Sequence, residues 1–364
     1  MKKLTLVYII MGIVLAQVLT GFLRPAVPSY DGIASLPYSA DSFPRPANFP
    51  EPLYNFNNNS YNKIKIELGR RLFYDGLLSK NGTVSCGTCH IQATAFSHHG
   101  HRLSHGIHDS VGARNAPALQ NLAWASNFMW DGGVTDLDLQ PLVPINSHVE
   151  MGESMDSVLI KLRKDFNYST YFNAAFGSQQ ITTARVMQAL SQFMASMVSA
   201  NSKYDRVMRH EGASFTPEES KGYTIFKSKC ASCHQEPLFT DHSFRNNGLY
   251  PYSDDAGRMT ITTQTTDKYR FKVPSLRNIE LTAPYMHDGR FKNLDFVLQH
   301  YSHEIQQTDN LDPLLVQSSG RPGLPLSPDD RGALKAFLHT LTDSVFTRNK
   351  ALSEVNICPD CIRY

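Results

Sequence analysis

The sequence has almost no excess of charge of either sign: 35 Lys and Arg stand against 33 Asp and Glu, a net of +2. Nothing in that balance argues for nucleic acid or a polyacidic partner. Tryptophan is scarce, with 2 residues in 364. Regular alternation of apolar and polar residues is scarce too, which argues against an all-β architecture. Wholesale disorder is excluded by an apolar fraction of 41% and an aromatic fraction of 10%, both at globular levels. A chain of 364 residues is long enough for two domains with real cores.

Beyond the N-terminus, long apolar runs are missing. Met1-Lys2-Lys3 precedes an apolar stretch from Leu4 to Leu19 that continues through Phe22 and Leu23. A basic start and an apolar core read as an export signal over residues 1–23, with an uncleaved membrane anchor as the alternative. Either way the remainder is expected to work outside the cytoplasm. Residues 24–60 are rich in Pro, Ser, Asn and Tyr without a helical period, and are expected to form a linker or an arm draped over the surface.

The six cysteines carry the class. Four lie in "CGTCH" (Cys86, Cys89, His90) and "CASCH" (Cys230, Cys233, His234). Two thiols at i and i+3 reach the two vinyl groups of one porphyrin, and the adjacent imidazole reaches its iron. Two such runs in an exported chain imply two covalent haem c groups. The last pair, Cys358 and Cys361, lacks the histidine; a tail disulfide is expected, with a redox or metal role as the alternative.

A repeat links the two motifs. Arg114 to Pro144 aligns without a gap on Phe271 to Tyr301 at a constant offset of 157 residues. Pro117 falls on Pro274, Asn121 on Asn278, Met129 on Met286 and Asp131-Gly132 on Asp288-Gly289. Each copy follows one haem motif, so two related haem domains in tandem are expected, over 61–212 and 213–345, with a tail over 346–364. The helical signals agree. Ile64, Leu68 and Leu72 mark a helix before the first motif, and Thr182 to His210 reads as one long helix. "TPEE" at Thr216 opens a helix running into Cys230, and "SPDD" at Ser327 opens a last one through Leu341. The fold class is mainly α: two cytochrome-c-like haem domains with a long N-terminal arm.

The stretch "LDFVLQHYSHEI" (Leu294 to Ile305) offers three ligand candidates, His300, Tyr301 and His303. As a regular helix it places Leu294, Val297, Leu298, Tyr301 and Ile305 on one stripe, with His300 about 100° and His303 about 200° away. Tyr301 is therefore expected to face the core, either as a plain core tyrosine or as an iron ligand. The repeat puts Tyr301 on Pro144, which cannot ligate, so the first haem is expected to be open and the second closed.

"LGRRLFYDGLLSKNGTVSCGTCH", "GARNAPALQN", "MWDGG", "EMG" and "FKVPSLRNIELTAPYMHDGR" together resemble the bacterial dihaem cytochrome c peroxidases, and within them the MauG type, over about Glu67 to Leu341. The resemblance implies a haem peroxidase, an oxidoreductase acting on hydrogen peroxide. It implies His90 and His234 as proximal ligands and Tyr301 as distal ligand of the second haem, where ordinary members have Met. A phenolate there would lower that haem's potential and favour sharing two oxidising equivalents over simple relay. It further implies Glu150 as the acid–base residue over the open haem, Gln140 as the pocket amide, Pro144 as the lining residue and Trp130 as the electron relay between haems. A calcium ion between the domains, on Asn115, Thr282 and Pro284, is implied by resemblance alone. His105, in the histidine-rich loop "SHHGHRLSHGIHD", reads either as a solvated loop residue or as a resting-state cap of the first iron. Partners follow: hydrogen peroxide and a redox protein, whether a small cytochrome, a copper protein or a co-encoded protein substrate. Three activities stay open: a MauG-like enzyme, an ordinary peroxidase, and a non-enzymatic dihaem electron carrier. As a surface exit point for an oxidising equivalent, Trp124 is the one tryptophan besides Trp130.

Overall fold

The computed structural model describes residues 42–249 and 254–354. The N-terminal signal or anchor segment and the Cys358/Cys361 pair lie outside the described residues. Among those residues the helices are α1 Lys63–Tyr74, α2 Cys86–Cys89, α3 Leu142–Asn146, α4 Met155–Lys164, α5 Phe166–Phe176, α6 Thr183–Ala195, α7 Lys203–Met208, α8 Pro217–Lys229, α9 Met259–Thr262, α10 Leu294–Gln299, α11 Pro328–His339 and α12 Ser344–Thr347. The strands β1 (Phe244–Arg245) and β2 (Phe271–Lys272) pair antiparallel. The chain is mainly helical, as its patterning implies.

Local signals account for most of these helices. α1 buries Ile64, Leu68 and Leu72 and starts at Asn62, whose side chain accepts from the Ile64 and Lys65 amides. Thr216 and Glu219 form the reciprocal cap of α8, with Pro217 in the first turn, and Ser327 and Asp330 do the same for α11. The expected single helix from Thr182 to His210 is instead two, α6 and α7. The break is enforced from outside. Asn121 holds Ser199 through both its side-chain atoms, at 2.9 and 3.0 Å, so the Ser199 backbone is engaged off the helix ladder. Ser202 then caps α7.

The two halves repeat in three dimensions. α1 crosses α6 with Gly69 against the backbone of Ala189, and α8 crosses α11 with Gly222 against Ala333; a Cβ on either glycine would lie 1.9 Å from the facing carbonyl oxygen. Phe193 and Phe337 take the next position at both crossings. The aligned loops share their turns: Asn121 and Asn278 have φ 59° and 56°, Met129 and Met286 have φ 65° and 73°. The bridges Phe128–Val134 and Tyr285–Phe291 occupy matched places as well.

A buried seam joins the halves. Arg277 and Asp205 are fully buried and pair through two hydrogen bonds of 2.9 and 2.8 Å. Gln120 donates to the Arg277 carbonyl at 2.9 Å, and Asn278 meets Ser199 at 3.0 Å. The described part of the expected arm lies on this structure: Leu53 and Tyr54 donate to the Ala123 carbonyl, and Phe49 is buried beside Trp124 and Arg277. No helix among the described residues is long and apolar enough to cross a membrane.

Candidate dihaem site

Both cysteine motifs fold as one tight turn. The His90 amide donates to the Cys86 carbonyl and the His234 amide to the Cys230 carbonyl, each at 2.9 Å, and none of the four thiols is in a disulfide. His90 Nδ1 lies 2.7 Å from the Phe96 carbonyl; His234 Nδ1 lies 3.2 Å from the carbonyls of both Phe239 and Pro274. A carbonyl only accepts, so in each ring Nδ1 carries the proton and Nε2 keeps its lone pair. Burial pushes the His90 imidazole down to about 4, and the His234 ring in the same direction, so both are neutral at pH 7. Unpaired thiols and an oriented neutral imidazole on one turn fit covalent haem c twice.

In the first half, α3 and the turn after it gather Pro144 and Glu150. The Pro144 carbonyl accepts from the Met151 amide at 3.1 Å, and the Glu150 carbonyl accepts from Ile107 at 2.8 Å. Burial alone raises the Glu150 carboxyl above the ordinary glutamate range. Its charge is felt at both Cys86 and Cys89, which puts it at the first motif. Gln140 donates to the Met129 sulfur at 3.7 Å.

In the second half, the regular helix expected through Ile305 stops at Gln299, and residues His300–Glu304 form a π turn. One extra residue per turn shifts the phase. His300, expected about 100° off the core, is 2% exposed, and its Nε2 lies 3.1 Å from the Asn247 carbonyl. His303 is exposed. The Tyr301 hydroxyl meets the Asn247 amide at 3.4 Å; burial raises its phenol titration, and the Asn247 bond works against that rise. The turn thus brings Tyr301 to the second motif but buries His300 behind it.

Between the halves, Trp130 donates its indole N–H to the Asn115 carbonyl at 2.8 Å, and its own carbonyl accepts from Lys272 at 2.8 Å. Asn115, Trp130, Thr282 and Pro284 line one cleft with Met129 and Met286. The Asn115 Nδ2 sits 2.5 Å from the Pro284 carbonyl while its Oδ1 is buried without a partner. A buried amide oxygen left without a partner, in a cleft that Thr282 and Pro284 also line, is a donor that suits a hard cation such as Ca2+. Among the described residues no group of three His, Cys, Asp or Glu is arranged to hold a metal, so any ion here would rest on neutral oxygens.

The histidine loop divides. The His105 ring is 41% exposed and bonded to Asp109 at 2.5 Å. His98, read with the solvated loop, is instead 8% exposed, with neither ring nitrogen partnered. Trp124 is 2% exposed, with its N–H on the Pro50 carbonyl, so it is not a surface exit. Asn247, the partner of both His300 and Tyr301, escapes sequence reasoning: "RNNG" carries only a turn signal.

Known proteins match this arrangement. The family model for di-haem cytochrome c peroxidase matches residues 63–213. The methylamine utilization protein MauG of Methylorubrum extorquens is 35% identical over 82% of this chain and 83% of its own. The chain belongs to the dihaem cytochrome c peroxidase family. The cytochrome c551 peroxidase of Nitrosomonas europaea is 32% identical over 77% of this chain and 80% of its own. A solved MauG-like protein associated with microbial copper homeostasis superposes with a TM-score of 0.78 at 32% identity, covering 86% of this chain and 99% of that one. As a family member this dihaem peroxidase is an oxidoreductase that uses haem c, hydrogen peroxide and a redox partner. Both MauG and peroxidase relatives stand at similar identity, so family membership leaves the subtype open.

Proposed function

We propose that this is a periplasmic peroxidase of the MauG-like type, with an open first haem on His90 and a second haem held by His234 and Tyr301. When bound, the haems supply reductive cleavage of the peroxide O–O bond and storage of the two oxidising equivalents. The chain's residues do the rest. Glu150 takes the proton from the near peroxide oxygen and returns it to the leaving one, a role its raised carboxyl suits. Gln140 orients the bound oxygen species, and Pro144 lines the pocket without offering a ligand. Trp130 spans the cleft as electron relay, and Ca2+ on Asn115, Thr282 and Pro284 ties the two sides. A protein side chain of a partner is the final reductant. His105, engaged by Asp109, is a loop residue rather than a cap in this reading.

One observation carries the subtype. At matched positions of the repeat stand Pro144 on α3 and Tyr301 on the π turn, the latter with its hydroxyl by Asn247 and the second cysteine pair. The second reading, a peroxidase fed by a small cytochrome or copper protein, is favoured by relatives named as peroxidases. Steady-state and stopped-flow measurements separate them. Slow turnover with reduced cytochrome and a persistent two-equivalent oxidised form after peroxide are expected; rapid turnover without that form overturns the MauG-like reading. Two low-spin ferric signals and no high-spin one would leave an electron carrier.

A further inference from the structure

We infer that Asn247 is a positioning residue that sets the electron donation of Tyr301 to the second haem; this rests on the reading of Tyr301 as that haem's ligand. The loop carrying Asn247 is fixed on three sides. The Asn246 side chain donates to Thr308 at 3.0 Å and Asn310 at 2.7 Å and accepts from Gly248 at 2.9 Å. The Gly248 carbonyl accepts from Gln306 at 2.8 Å. Gly248 has φ 67°, and a Cβ there would lie 2.4 Å from Ile305, so the loop packs directly on the end of the π turn. The Asn247 carbonyl is taken by the buried His300 ring at 3.1 Å.

With its backbone held, Asn247 has one free group to aim, the side-chain amide. That amide carries two N–H donors. It meets the Tyr301 hydroxyl at 3.4 Å and the Met286 sulfur at 3.6 Å. The contact to the Tyr301 oxygen is long, as fits a donor that tightens once the phenol becomes a phenolate. A bond donated to a phenolate oxygen withdraws electron density that the oxygen would otherwise give to iron. His300 takes the Asn247 carbonyl and Tyr301 meets the Asn247 amide from adjacent positions of the π turn.

The test uses the holoenzyme. Asn247→Leu keeps the side chain's branched outline and removes the donors. Loss of the bond is expected to shift the ferric–ferrous equilibrium of the second haem toward ferric by roughly tenfold, or about 59 mV for a one-electron couple, and to move the phenolate absorption band. Asn247→Gln, which keeps an amide, is expected to recover part of the shift. Where the Leu variant fails to load both haems, Asn247→Ala carries the same expectation. Tyr301→Phe is the control. If Tyr301→Phe alters the second haem's spectrum while the loaded Leu or Ala variant keeps potential and band, the role of Asn247 is overturned. If Tyr301→Phe changes nothing, the ligand assignment itself fails, and this inference with it.

Discussion

At the scale of single residues, each half of the site combines a group whose chemistry is fixed by its neighbours with one fixed by burial. Glu150 is the clearest case. Among the described residues no cation pairs with it, and burial alone raises its carboxyl, so its proton affinity comes from the dryness of its site. Glu150→Gln keeps the shape and removes the base. Peroxide cleavage is expected to slow by roughly 10²–10⁴-fold, with both haems still attached, as measured by stopped-flow absorption. The pH profile follows from the direction of the shift. The working form is the carboxylate, so the rate falls as pH drops through a value above that of an ordinary glutamate, and this acid limb disappears in the Gln variant. Tyr301 makes the complementary case. Tyr301→Met keeps a ligand but exchanges an anionic donor for a neutral thioether, so the potential of the second haem is expected to rise. Spectroelectrochemical titration checks the direction; an unchanged or lower potential counts against Tyr301 as ligand.

At the scale of elements, the legible parts were those whose causes are local. The two CxxCH turns, the caps at Thr216 and Ser327, and the buried stripe Ile64, Leu68, Leu72 all arise within a few residues of chain, and the gapless loop match at an offset of 157 residues needs only the chain laid against itself. The misses have remote causes. Asn121 breaks the helix expected past Ala195 by seizing Ser199, 78 residues on. The π turn at Tyr301 is braced by Asn247, 54 residues before it. Helical phase chose Tyr301 but placed His300 wrongly, because a 3.6-residue period cannot foresee an inserted residue. The glycine crossings could have been noticed but not interpreted, since only the packed pair shows why Gly69 and Gly222 must lack a side chain. Gly222→Ala would force a methyl to 1.9 Å from the Ala333 oxygen, so α8 and α11 must separate. A loss of about 1–3 kcal/mol is expected from such overpacking, read by chemical denaturation of the holoenzyme. An equal or higher midpoint would show that the crossing is slack.

At the scale of the whole molecule, the two halves share a seam in which one residue belongs to two devices. The Asn115 carbonyl holds the Trp130 indole, while its side chain reaches the Pro284 carbonyl across the cleft with its own oxygen left over. A cation bound at that oxygen and at the carbonyls of Thr282 and Pro284 would clamp the first half to the second and fix the residue on which Trp130 hangs. Because its donors are neutral, such a site attracts the ion less strongly than a carboxylate cage and should release it to a chelator. An ion that binds only the folded chain stabilises it by about 2.7 kcal/mol at a hundredfold excess over its dissociation constant. Chelation of the purified holoenzyme is therefore expected to remove one Ca2+ per chain, measured by atomic emission, and to lower the unfolding midpoint, with both restored by added Ca2+. Asn115→Ala should contain no ion and show a chelator-independent midpoint. Transfer of oxidising equivalents between the haems should slow with the ion's removal, since the carbonyl that anchors Trp130 loses its restraint. A chain that holds no Ca2+ as purified, or whose midpoint ignores both chelator and added Ca2+, would rule out the clamp and leave the seam to the buried Asp205–Arg277 pair.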